Sequence, residues 1–197
     1  MGIIIMISTF LLTNKPIISL NRRSLHGALA GGFSREALQQ WSMQEWNDKH
    51  SPYSDLLSQK VSTASIDYLN EHPHPSSELA KFFFKSVPFA PERIILTPFR
   101  YQHSALPNIF TEGTKYLFWT VRVHTPLEII LRWQLNGIDG CTMIAYDPQI
   151  KRVYHGNSIH SSVTKNNVFR ALTPLHVQYA KLLLSGMVQE LESNIEK

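Results

Sequence analysis

The end of the chain constrains the fold most. Residues 173–193 read TPLHVQYAKLLLSGMVQELES. Thr173 offers a hydroxyl suited to capping a helix, and Pro174 suits a first helical position, where a missing N–H costs nothing. Leu175, Tyr179, Leu182, Leu183, Met187 and Leu191 then recur at helical spacing, while Gln178, Lys181, Ser185, Gln189 and Glu192 fall mostly on the other side. Each well-buried Leu or Met contributes roughly 1.5–3 kcal/mol as an upper bound. A helix with such a stripe therefore needs an apolar surface to lie on.

The preceding segments supply one. Residues 116–124, YLFWTVRVH, alternate: Leu117, Trp119, Val121 and Val123 share one face, and Tyr116, Phe118, Thr120, Arg122 and His124 the other. After a Thr125-Pro126 turn, residues 128–135, EIILRWQL, alternate again, with Ile129, Leu131, Trp133 and Leu135 against Glu128, Ile130, Arg132 and Gln134. Asn136-Gly137 and Asp139-Gly140 are strong turn signals. A strand over 141–146 follows, then an Asp147-Pro148 turn, a return strand over 152–155 and a bend at Gly156-Asn157. Short connections favour an antiparallel meander.

The first half is less regular. Residues 34–47 suit a helix carrying Leu38, Trp41 and Trp46. Residues 53–66 suit either a strand or a poor helix. Two prolines in NEHPHPS (70–76) break the chain. Ser76 or Ser77 can cap a helix, SSELAKFFFKSV, closed by Pro88 and Pro91; its three adjacent phenylalanines exceed what one helix face buries. Ile94 to Thr97 reads as a short β-branched strand. Residues 1–33 form a leader: an apolar run over 3–12 is followed by Lys15, Arg22 and Arg23, and no acidic residue precedes Glu36. The run is too short to span a bilayer. An acid-free, Arg- and Ser-bearing leader has the character of a mitochondrial transit peptide; without that role, the expected location is cytoplasmic. Residues 34–197 then form a single α+β domain, in which a curved antiparallel sheet grips a long C-terminal helix and short helices occupy the N-terminal half.

Composition removes several functions. With 43% hydrophobic and 17% charged residues the chain is globular, and its net charge of +4 is not gathered into a basic stripe, so nucleic acid is not the expected partner. Cys141 is the one cysteine, which excludes an intramolecular disulfide and a CxxC metal site. Phosphate-binding glycine loops, HExxH and GxSxG are absent. His72 and His74, or His155 and His160, would each need a third ligand from elsewhere to hold a metal. No metal and no cofactor is expected.

The order of elements, together with a tail in which GNSIH is followed by TPLH and a YAKLLL helix, resembles the START-like, Bet v 1-like (helix-grip) superfamily over roughly residues 50–193. Pro174, Leu175 and His176 carry the likeness to stand-alone members whose closing helix begins with a Pro-x-His step. The resemblance implies a cavity between sheet and final helix for an apolar guest such as a lipid, sterol or polyketide. Its lining would draw on Trp119, Arg122, His124, Arg132, Trp133, Tyr179 and Leu183. Which face of the strands looks inward stays open, and every lining residue depends on it.

Acid–base chemistry is the alternative. Tyr146, Tyr154, His155 and His176, with Asp147 nearby in sequence, could converge if the last hairpin lies under the start of the final helix, giving a cofactor-free cyclase, dehydratase or thioesterase. Two further roles remain: an assembly protein with an aromatic surface and no ligand, and peripheral contact with a membrane without an integral span.

Overall fold

The computed structural model describes residues 18–21, 53–96, 105–135, 138–159 and 167–196. The fold is α+β, as the sequence pattern predicts. Strands β1 (Ile18–Asn21), β2 (Tyr53–Lys60), β3 (Lys115–Tyr116), β4 (Trp119–His124), β5 (Glu128–Leu135), β6 (Ile138–Asp147) and β7 (Arg152–Ile159) form one antiparallel sheet in the order β1-β2-β7-β6-β5-β4-β3. Helices α1 (Thr63–Glu71), α2 (Pro75–Lys85), α3 (Ala90–Leu96) and α4 (Asn167–Ile195) complete the described chain, with a 3-10 turn at Val87–Phe89 between α2 and α3. Within the leader, only Ile18–Asn21 is described, as edge strand β1; the helix read at residues 34–47 lies outside the described residues.

Cross-strand partners share a face, and the register assigns one. The inner face runs from Trp119 and Val121 through Ile129, Leu131 and Trp133 to Thr142, Ile144 and Tyr146. It continues through Val153, His155 and Asn157 to Asp55 and Leu57. The Leu/Trp side of β5 is therefore the core side. Helix α2 covers β5 and β6, and α4 lies alongside it over β2 and β7.

Several local expectations change. A β-bulge between Val121 and Val123 reverses the alternation in β4, so Val123 pairs with Ile130 on the outer face and His124 with Ile129 on the inner. The ambiguous stretch 53–66 resolves into β2 and α1, divided at Ser62, whose side chain accepts the N–H of Ser65 as an N-cap. Residues 94–96 are helical and not a strand: the Pro88 turn starts a helix in which Pro91 occupies the first turn, where its missing N–H is harmless. Ser76 and Ser77 do not cap α2, which starts at Pro75. Ser76 donates to the Thr125 carbonyl, and Ser77 accepts the N–H of Phe110.

All three phenylalanines of α2 are buried, because α1, α4 and the sheet enclose that helix on several sides. Helix α4 begins at Asn167, so Pro174 lies inside it and leaves the Arg170 carbonyl without its helical donor. The buried face of α4 is Ala180, Leu183, Leu184, Met187, Val188 and Leu191. Leu175, read as part of the stripe, is 42% exposed. Strand β7 also runs on through Gly156 and Asn157 to Ile159 instead of bending there. Pairing to β2 on one side and β6 on the other holds this glycine extended.

Candidate functional site

Polar side chains gather on the inner face beneath the N-terminal half of α4. Asp55 of β2 stands opposite Asn157 of β7, which stands opposite Thr142 of β6. Both the backbone N–H and the side-chain amide of Asn157 donate to Asp55 Oδ1, at 3.1 and 3.2 Å. Thr142 Oγ1 donates to Asn157 Oδ1 at 3.3 Å, and Trp119 Nε1 donates to Thr142 Oγ1 at 3.5 Å. The other Asp55 oxygen, Oδ2, lies 3.1 Å from His176 Nε2 on α4. Hydrogen bonds thus run from β4 across the sheet to β2, and Asp55 meets the closing helix through its ion-pair contact with His176. Buried polar groups held in such a network keep fixed orientations.

The burial of this pair is graded. The Asp55 side chain is 3% exposed and that of His176 is 34%, so the carboxylate is inside and the imidazole sits at the edge. Nε2 is thus the ring nitrogen that faces the Asp55 carboxylate. His155 lies two residues from Asn157 on the same face and is fully buried, its ring stacked on Phe83 at 5.1 Å between centroids. Burial pushes its pKa down to about 4, opposed by the negative charge of Asp55 and reinforced by His176. His155 is therefore neutral at physiological pH.

Two more acids border the pair. Tyr179, one turn after His176, hydrogen-bonds Glu92 of α3 and donates its own proton to the Pro88 carbonyl at 3.3 Å. Burial raises the Glu92 carboxyl to about 7, opposed by Tyr179 and His176. Burial likewise raises the Tyr179 phenol, and Glu92 reinforces it.

Of the acid–base residues expected from sequence, His155 and His176 come together. Tyr146 is on the inner face but at the far end of β6, where its hydroxyl donates to Asn70. Tyr154 points to the outer face, packed with Ile130, Met143 and Ala145. Its phenol is raised by burial. Cys141 shares that outer cluster, and burial pushes its thiol up to about 12, so it is a packing residue and not a nucleophile.

The expected lining residues also separate. Trp119 and Trp133 are cross-strand partners on the inner face; from α4, Leu183 is buried in the core and Tyr179 packs against it while its hydroxyl turns to Pro88. Arg122 is exposed at the bulge. Arg132 lies on the outer face, forked onto Asp139 at 3.0 and 2.7 Å. His124 reaches the inner face beyond the bulge and meets His74 at 5.7 Å, away from the Asp55 pair. Burial and His74 hold its pKa down, against Glu112.

Asp55, Asn157 and Glu92 were not legible as site residues. Asp55 sits in the ambiguous stretch, Asn157 in the supposed bend, and Glu92 just before the supposed strand. The one available signal was a lone Asp in an otherwise strand-compatible run. Among the described residues, no group of His, Cys, Asp and Glu has the geometry to hold a metal, and no helix is long and apolar enough to cross a membrane. No protein-family model matches the chain, and comparison with curated proteins and with solved structures returns no match.

Proposed function

We propose that the region between the N-terminal half of α4 and strands β2 and β7 is an acid–base site for a small, mainly apolar molecule, and that the protein is a cofactor-free proton-transfer enzyme. The 3.1 Å approach of Asp55 Oδ2 to His176 Nε2 carries this reading. A carboxylate in that position fixes the imidazole tautomer and stabilises the imidazolium that forms when Nδ1 takes a proton. Asn157 fixes the carboxylate in turn. His155, buried and neutral, adds a polarisable wall without competing for the proton. Because Cys141 is on the opposite face, proton abstraction next to a carbonyl, as in an isomerase, cyclase or dehydratase, fits better than thiol-based acyl transfer.

The test uses enolisable ketones, with cyclohexanone and 2-cyclohexenone as probes, in D2O. Proton NMR follows loss of the α-proton signals. Wild-type protein is expected to accelerate exchange, and Asp55→Asn or His176→Gln to lose about 10²–10⁴-fold of that acceleration. Equal rates for wild type and both variants would contradict the reading.

A second reading is carriage of an apolar guest without turnover. It is favoured by the apolar company of the polar residues: Phe83 stacks on His155, and Leu183 and Tyr179 belong to the core that α4 closes, since ligand sites are mainly apolar with few orienting polar groups. Native mass spectrometry of protein from its own cells separates the two readings. A co-purified small molecule that is released unchanged supports carriage.

A further inference from the structure

His155 differs from the other polar groups of the inner face in having no settled partner. The residue is 1% exposed, and its ring stacks on Phe83 of α2 at 28°. Its cross-strand partners, Leu57 on β2 and Ile144 on β6, are both apolar. The donors nearest in register are directed elsewhere: the Asn157 amide donates to Asp55, and the Thr142 hydroxyl to Asn157. Helix α4 approaches the ring at Ala180, whose side chain carries no polar atom. Among the described residues, neither ring nitrogen has a partner at full hydrogen-bonding geometry.

The two nitrogens are not equivalent. A neutral imidazole carries one N–H and one lone pair. The N–H has an acceptor within reach, the loosely aligned Ala180 carbonyl. The lone pair requires a donor. Asp55, an ionised carboxylate, only accepts, and His176 turns its Nε2 to Asp55. A buried acceptor left without a donor is costly, and such a group calls for a partner from outside the chain.

We propose that the lone pair of His155 anchors a ligand hydroxyl, so that the molecule taken up between α4 and strands β2 and β7 is an apolar alcohol or hydroxyketone. This rests on the reading of that region as a ligand site and names the chemical class it takes. An ether or a plain ketone of the same shape brings no proton to the nitrogen. Phe83, Leu57 and Ile144 give the ring apolar surroundings, so one hydroxyl orients the whole molecule. His155 is then the specificity-determining contact, and His176 remains the base.

Imidazole-detected 15N NMR of the uniformly labelled whole chain tests this, with His155 assigned through His155→Leu. The probes are cyclohexanol, which donates, and cyclohexyl methyl ether, which has the same ring and only accepts. Cyclohexanol is expected to move the unprotonated His155 nitrogen upfield and to bind about tenfold more tightly than the ether, which leaves that nitrogen in place. His155→Leu should lose the tenfold preference. Cyclohexanol shifts at His176 without any at His155 overturn the hydroxyl anchor and spare the acid–base reading. A shift at His155 in a protein that fails the deuterium-exchange test supports the anchor and removes the acid–base reading. No shift at either histidine overturns the anchor, as does equal wild-type affinity for the two probes or a preference that persists in His155→Leu.

Discussion

The inner face of the sheet has two halves of opposite character. Under α2, over β4 to β6, Phe84 meets Phe89, Phe110, Tyr116 and Trp119 at ring separations of 4.8–5.5 Å, and all five are buried. Under α4, over β2 and β7, the same alternation places Asp55, His155 and Asn157 inward, with His176 half-exposed above them. Secondary structure does not distinguish the halves; residue type and access do. Aromatic rings close one half and hold the fold. The other carries ionisable groups whose desolvation opposes folding and whose fixed geometry suits chemistry.

The two halves should therefore respond to different perturbations. Phe84→Ala removes the hub of the aromatic half and is expected to cost about 3–5 kcal/mol in urea unfolding. It should leave the pH response of the polar half unchanged. Loss of that response together with stability would mean that the halves are not separable.

The pH response itself has two opposing parts. His155 is held below its ordinary value, so the native state binds fewer protons than the unfolded state between about pH 6.5 and 4, and stability falls as pH falls through that window. Glu92 is held above its ordinary value, so its contribution is fully present below pH 4.5 and is lost as pH rises through about 7. Each is worth about 3 kcal/mol at most. Their slopes oppose each other between pH 4.5 and 6.5. Denaturant midpoints should therefore drop more steeply with acid in Glu92→Gln than in wild type, and less steeply in His155→Leu. Parallel curves for all three proteins would remove the polar half's distinctive electrostatics.

Gly140 joins the halves. A Cβ there would meet the Trp133 ring at 2.4 Å and the Ser158 carbonyl at 2.5 Å. Gly140→Ala should cost at least about 1–3 kcal/mol, because both Trp133 and the Ser158 backbone must shift, read as a shift in unfolding midpoint and in tryptophan fluorescence. The smallest effect belongs to the outer face. Arg132→Ala breaks an ion pair whose side chains are 41% and 27% exposed, and should change stability by less than about 1 kcal/mol.

The aromatic half was the more legible in sequence. EIILRWQL shows its alternation in sequence, although only the register makes the Leu/Trp side the inner one, and the C-terminal stripe announces a covering helix. The bulge at Arg122 was hidden, because one extra residue reverses facing without changing composition. The polar half was hidden for another reason. Asp55 and His176 are far apart in sequence, and nothing local to either predicts the other. Asn157 follows a glycine, and glycine in a strand paired on both sides reads locally as a turn. Ile94 and Ile95 carry β-branched side chains, yet the Pro88 and Pro91 context sets them in a helix. Local propensity gave way to tertiary placement at these positions.

The proposed function stands on Asp55 preorganising His176. Imidazole-detected 15N NMR of uniformly labelled protein addresses it directly, with His176 assigned through His176→Gln. The expected result is a His176 Nε2 proton shifted downfield by a carboxylate hydrogen bond, lost in Asp55→Asn while the His155 signals of a buried neutral ring persist. A His176 ring whose nitrogens match those of a free solvated histidine, and do not change in Asp55→Asn, would contradict it.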